Sequence, residues 1–154
     1  DRGAAGLMVF ARNSKAAAGL SRAVQEKQLK KEYFARVSGV PAEKEGEMTD
    51  FLFKDSRKNK VFVVKKERKG VKKARLEFQR LTEGECSLVH IRLHTGRSHR
   101  IRVQFSSRGF PLVGDRKYST HQGDCEIALW SSLLRFRHPK TGEELTFTSR
   151  ELCY

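Results

Sequence analysis

Imidazole and guanidinium groups crowd the stretch His90-Ile91-Arg92-Leu93-His94-Thr95-Gly96-Arg97-Ser98-His99-Arg100-Ile101-Arg102. Such groups can bind a phosphate, hold a neighbouring carboxylate in its ionised form, or track a nucleic-acid backbone. On spacing alone the stretch reads as a basic, solvated surface against nucleic acid. Three nearby histidines also raise a zinc site. Yet His90 and His94 share a strand face, Cys86 is the only nearby thiol, and no C-x-x-C or helical H-x-x-x-H accompanies them, so the spacing speaks against a metal.

The elements that position these groups can be read from period. Val89, Ile91 and Leu93 alternate with Leu88, His90 and Arg92, which predicts a half-buried strand from Ser87 to Leu93. Ser98 can cap a short helix in which Ile101 and Phe105 share a face, with Gly109 as its stop. Thr95-Gly96-Arg97 is then a tight strand-to-helix corner that aims backbone N–H groups and a guanidinium at one point, as an anion site requires.

Elsewhere the pattern predicts a short apolar strand from Leu7 to Ala11. A helix follows, capped by Asn13 or Ser14, with Ala16, Ala17, Leu20 and Val24 on its inner face. From Glu32 to Gly39 Tyr33, Ala35 and Val37 alternate with Phe34, Arg36 and Ser38, and Pro41 ends the run. Ala42 to Lys60 reads as connection and edge strands around the apolar piece Phe51 to Phe53. Val61 to Lys66 and Ala74 to Leu81 read as a hairpin joined by Glu67-Arg68-Lys69-Gly70, and Gly109 to Tyr118 as a loop fixed by Pro111 and Gly114. Leu133 to Phe136 and Leu145 to Thr148 form a second hairpin through Pro139-Lys140-Thr141-Gly142. Strands outnumber helices and hairpins dominate, so the expected class is α+β, a mixed and mainly antiparallel curved sheet with a few helices beside it.

The 154 residues suit one domain spanning 1–154. The 32 Lys and Arg against 18 Asp and Glu give a charge of +14, which points to a polyanionic partner. No apolar run approaches the ~18 residues of a membrane span, so nucleic acid is expected rather than a membrane. Cys86, Cys125 and Cys153 are odd in number and widely spaced, as reduced thiols of a cytoplasmic protein are. The chain begins at Asp1 without a methionine, as a trimmed segment would.

Three stretches carry a resemblance. Leu93 to Val103, followed by Gly109-Phe110-Pro111-Leu112-Val113-Gly114-Asp115-Arg116-Lys117-Tyr118, is similar to the T-G-R-x-H-Q-I-R and G-x-P-x-x-G-D-x-x-Y runs of the RluA-type RNA pseudouridine synthases. Asp1-Arg2-Gly3-Ala4-Ala5-Gly6-Leu7-Met8-Val9-Phe10-Ala11 resembles the end of that family's H-R-L-D-x-x-T-S-G-L, and Lys31 to Gly39 its K-x-Y-x-A-x-V-x-G. The three stand in register across nearly the whole chain. Arg100 replaces the usual Gln, Ala4-Ala5 replace Thr-Ser, and the family's His-Arg-Leu has no counterpart before Asp1.

The resemblance implies a curved sheet with a central active-site cleft and the isomerisation of uridine to pseudouridine in ribosomal or transfer RNA. That reaction breaks the C1′–N1 bond, turns the base and joins C1′ to C5, which needs no redox cofactor and no metal. Asp1 takes the place of the family's aspartate, which could attack C1′, attack C6 of the ring, or act as a base at the ribose. Arg97 would orient and ionise it, and Tyr33 would stack on the uracil. Ile101 would floor the base pocket or belong to the core, and Lys31, Arg92, His99, Arg100 and Arg102 would contact RNA phosphates. A monomer with no obligate protein partner is expected. The other reading is a basic RNA-binding module that keeps the fold without the catalysis.

Overall fold

The alternation of Tyr33, Ala35 and Val37 with Phe34, Arg36 and Ser38 builds a strand inside a single sheet. A computed structural model describes residues 3–95, 99–120 and 123–150. In chain order the elements are β1 (Ala5–Gly6), α1 (Ser14–Gln25), β2 (Lys30–Ser38), β3 (Glu45–Asp55), β4 (Lys60–Val64), β5 (Val71–Arg80), β6 (Cys86–Leu93), α2 (Arg100–Ser107), β7 (Leu129–Arg137) and β8 (Glu144–Thr148). The strands lie in the order β1-β7-β2-β6-β5-β3-β4, with β8 also on β7. Among the strands described, β1 pairs with β7 in parallel and the other pairs are antiparallel, so the sheet is mixed and mainly antiparallel, the α+β architecture expected.

One face of the sheet carries the core. Ala35 and Val37 of β2, Val89 and Ile91 of β6 and Leu76 of β5 are buried with Ile101 and Phe105 of α2. Phe105 meets Phe78 edge to face, their ring centres 5.7 Å apart. A smaller cluster of Leu52, Val61, Ala74 and Val103 seats α2 on the β3–β5 end of the sheet. The fold therefore brings the start of α2 close to the ends of β2 and β6.

Several local expectations are corrected. Leu7 to Ala11 forms no strand: the Leu7 N–H still reaches the Ser131 carbonyl at 3.0 Å, but β8 takes β7 from Leu133 onward, so the ladder beside β1 has no room to continue. Met8 and Phe10 are 71% and 78% exposed. The helix α1 is capped by Asn13, whose Oδ1 accepts the Ala16 N–H at 2.8 Å. Its inner face is turned by about one residue from the expected one, because Ala23 is buried whereas Val24 is exposed. Ala16 and Leu20 keep their places on it, half-buried.

The largest correction concerns residues 42–66. Glu45–Asp55 is one long strand rather than a connection with edge strands, and it separates the two strands expected to pair with each other. β4 pairs with β3 through a tight turn in which the Asp55 carboxylate accepts the N–H groups of Arg57 and Lys58 at 2.9 and 3.1 Å. Asn59 takes a left-handed φ of 46° in that turn. Residues 65–70 then cross over to β5, which joins the far side of β3. The C-terminal hairpin forms as expected, with β7 longer than its apolar signal.

Candidate active site

β2 changes from core to surface along its length. Val37 and Ala35 are buried, and two residues earlier on the same face Tyr33 and then Lys31 emerge into a cleft of about 930 Å³. Its opposite wall is the start of α2, with His99, Arg100, Ile101 and Arg102, and its far end holds Lys54, Asn59 and Lys117. The cleft lies against the sheet's core face, where the expected family cleft would be.

Tyr33 stands opposite Ile91 of β6 and Ser131 of β7, next to a β-bulge at Glu32/Tyr33. Burial raises its hydroxyl above the usual tyrosine range, opposed in part by the Arg100 charge and the Ser131 hydroxyl. Lys31 is held below the usual lysine range, first by burial and then by the Arg100 charge. Arg100 itself is 4% exposed, and its Nη1 donates to Thr95 Oγ1 at 2.6 Å. The three residues form one electropositive wall on which an aromatic ring is displayed.

Ile101 is 5% exposed within the core and also lines the cleft. His99 heads α2 in the left-handed conformation, φ 52°, with Nδ1 2.8 Å from the Tyr118 hydroxyl. That hydroxyl accepts the Val61 N–H at 2.9 Å, leaving its own proton to donate to the imidazole. Burial, then the charges of Arg102 and Lys117, lower His99 to about 4, so it is neutral near pH 7.

Two expected RNA contacts are otherwise engaged. Arg102 is 8% exposed and grips the Asp115 carboxylate with Nε–Oδ2 2.8 Å and Nη2–Oδ1 2.7 Å. Burial alone would raise the Asp115 carboxyl. Hydrogen bonds and charge from Arg102, with the amides of Lys117 and Tyr118, outweigh it and lower the group. Although it lines the cleft, Arg102 is thus a structural strut. Arg92 points to the opposite sheet face, where its Nε meets Glu32 Oε1 at 3.2 Å. The period places it there, between the inward Ile91 and Leu93. His90 lies on that outer face with Glu32, while His94 borders the cleft against Glu77, so each imidazole has its own carboxylate.

Asp1 and Arg97 lie outside the described residues, as do Ser98 and Cys153. Gly6, five positions after Asp1, takes φ 96°, and a Cβ there would lie 2.3 Å from the Ser131 carbonyl oxygen. Sequence reasoning missed Thr95, Lys54, Asn59 and Lys117 as cleft residues. The alternation of Met48, Leu52 and Lys54 with Thr49, Phe51 and Phe53 was the signal that could have found Lys54.

The family described as RNA pseudouridylate synthase matches residues 1–107. An uncharacterized RNA pseudouridine synthase of Aquifex aeolicus is 32% identical over 98% of this chain and 51% of its own length. The dual-specificity RNA pseudouridine synthase RluA of Vibrio parahaemolyticus is 32% identical over 92% of this chain and 59% of its own. The chain spans about half the length of the curated relatives it matches. A solved structure titled human RNA Pseudouridylate Synthase Domain Containing 1 shares the fold with a TM-score of 0.74 at 22% identity, covering 91% of this chain and 62% of that one. With motifs, fold and relatives in agreement, the chain belongs to the RNA pseudouridylate synthase family.

Proposed function

We propose that this chain provides the catalytic cleft of an enzyme that converts uridine to pseudouridine in folded RNA. Ribosomal RNA is the first candidate substrate and transfer RNA the second. A relative named ribosomal large subunit pseudouridine synthase C supports the first, and one named dual-specificity RNA pseudouridine synthase supports more than one kind of RNA target. Asp1 serves as nucleophile or base, and Arg97 as its bidentate partner. Tyr33 stacks on the uracil and holds it while C1′–N1 breaks and C1′–C5 forms. The C5 hydrogen leaves and N1 gains a proton, so the isomerisation consumes no redox partner. The enzyme acts as a monomer in the cytoplasm.

The observation that carries this reading is Tyr33 at the mouth of the core, half-buried between Lys31 and Arg100 in a cleft that also borders the start of α2. A flipped uridine needs an aromatic face for its base and cations for its phosphates, which offset a flipping cost of a few kcal/mol. The test is pseudouridine formation in unmodified ribosomal and transfer RNA by this chain, by a version extended upstream, and by Asp1→Asn in the extended version. Product from the extended protein and none from Asp1→Asn is expected. RNA binding without product from any version would favour the non-catalytic module.

A further inference from the structure

The charge of the molecule is concentrated at one edge. Between Lys54 and Arg75 eleven Lys and Arg stand against two acids, Asp55 and Glu67, a surplus of nine within a chain total of +14. These residues form the β3–β4 hairpin, the 65–70 crossover and the start of β5. Asp55 is already committed to its own turn, accepting the Arg57 and Lys58 N–H groups. Of the cations, Arg75 is paired with Glu47 at 2.7 Å. Lys58, Lys65, Lys66, Lys69 and Lys72 are exposed and have no carboxylate partner among the described residues. Arg68 lies over the Phe53 ring, 5.4 Å from its centre, and Lys60 over Phe62 at 5.8 Å, so these two are steadied by rings rather than neutralised.

The edge is tied rigidly to the cleft. The Val61 N–H donates to the Tyr118 hydroxyl at 2.9 Å, and Lys117 Nζ donates to the Asn59 carbonyl at 2.6 Å. Lys54 and Asn59 themselves line the cleft. A continuous cationic track therefore runs from the cleft wall, over the hairpin turn, to the crossover. The mutual repulsion of these charges is relieved when a polyanion docks against them.

We propose that the β3–β4 hairpin and the 65–70 crossover form an RNA-backbone docking arm, separate from the cleft, which seats phosphates of the helix flanking the target nucleotide. The proposal rests on the reading above only for RNA as the partner. Exposed lysines on a rigid edge read phosphates without reading bases, so the arm supplies affinity and orientation and leaves the choice of uridine to the cleft.

The test compares two triple variants matched in charge, binding to a fluorescent RNA hairpin with a stem of about 16 base pairs, the span typical of double-stranded RNA contacts. The first is Lys65→Gln, Lys66→Gln, Lys69→Gln on the arm. The second is Arg12→Gln, Lys15→Gln, Arg22→Gln on and beside α1. The arm variant is expected to lower the slope of log affinity against log salt by about two, and the α1 variant to leave it close to the parent value. Lys→Arg at the same three arm positions should restore the slope, because charge rather than shape is at issue. Equal loss from both glutamine triples would overturn the arm, leaving only diffuse charge, and so would displacement of the RNA by poly-glutamate at matched charge. Arm-dependent binding with no pseudouridine formed by the unsubstituted extended chain would count against the enzyme and not against the arm.

Discussion

Arg102 and Asp115 face each other fork to fork, Nε–Oδ2 2.8 Å and Nη2–Oδ1 2.7 Å, with Asp115 1% exposed and the guanidinium 5.0 Å from the centre of the Tyr118 ring. The pair locks the loop after α2 onto the helix, and through Tyr118 it locks β4 as well. Removing one partner leaves a buried charge without its counter-ion. Asp115→Ala is expected to cost about 3–5 kcal/mol, read as a lower urea midpoint at unchanged m-value. A cost within the ordinary range of an exposed pair, about 1 kcal/mol or less, would show that the strut carries no weight.

Gly114 and Gly109 make a matched comparison. Both take left-handed backbone, φ 77° and 85°. A Cβ at Gly114 would lie 2.1 Å from the Glu126 carbonyl oxygen, whereas one at Gly109 meets nothing within 4 Å. Gly109→Ala should therefore cost only backbone strain, about 1 kcal/mol. Gly114→Ala should cost about 2 kcal/mol more, because backbone must shift to admit the methyl group. Equal costs in denaturant titrations would contradict the close approach.

His99 gives stability a pH dependence of defined sign. It is neutral in the fold, with its pKa lowered to about 4, and returns towards its ordinary 6.5 on unfolding. Between those values the unfolded chain binds the extra proton. Its contribution is therefore complete above pH 6.5 and is lost as pH falls towards 4. Unfolding midpoints measured from pH 4 to pH 7 should rise more steeply for the parent than for His99→Gln. Parallel profiles would sink this assignment.

Arg100 lowers the pKa of both Lys31 and Tyr33 by its charge. Arg100→Gln, which restores the residue usual in the resembled motif, should raise both groups together. Lysine Nζ resonances and the ultraviolet titration of tyrosinate report this directly. A rise in one without the other would mean that the three do not share one electrostatic wall.

Much of this was legible in the sequence because it lies in strictly local patterns. The alternation in β2 and β6 fixed which side chains meet the core, and it placed Tyr33 where that face runs out. The same alternation sent Arg92 outward, against its expected place beside the cleft, since basic character alone says nothing about direction. The pairing of Arg102 was hidden for a related reason: its partner Asp115 lies beyond α2 in a loop, and pairing across a loop leaves no periodic trace. The expected hairpin of β4 with β5 failed because β3 is polar at its exposed positions, which hid an eleven-residue strand inside a segment that resembled a connection. Leu7 to Ala11 had strand-like composition and no free edge on which to pair.

The most direct test of the central claim follows the hydrogen on C5 of the target uracil. That hydrogen must leave when C5 bonds to C1′, so RNA tritiated at C5 of uridine should release tritium to water with the extended chain. Asp1→Asn should abolish release while leaving RNA binding near the parent value. Release that persists in Asp1→Asn, or binding that collapses in step with it, would contradict the account of this cleft as a pseudouridine synthase site built on Asp1.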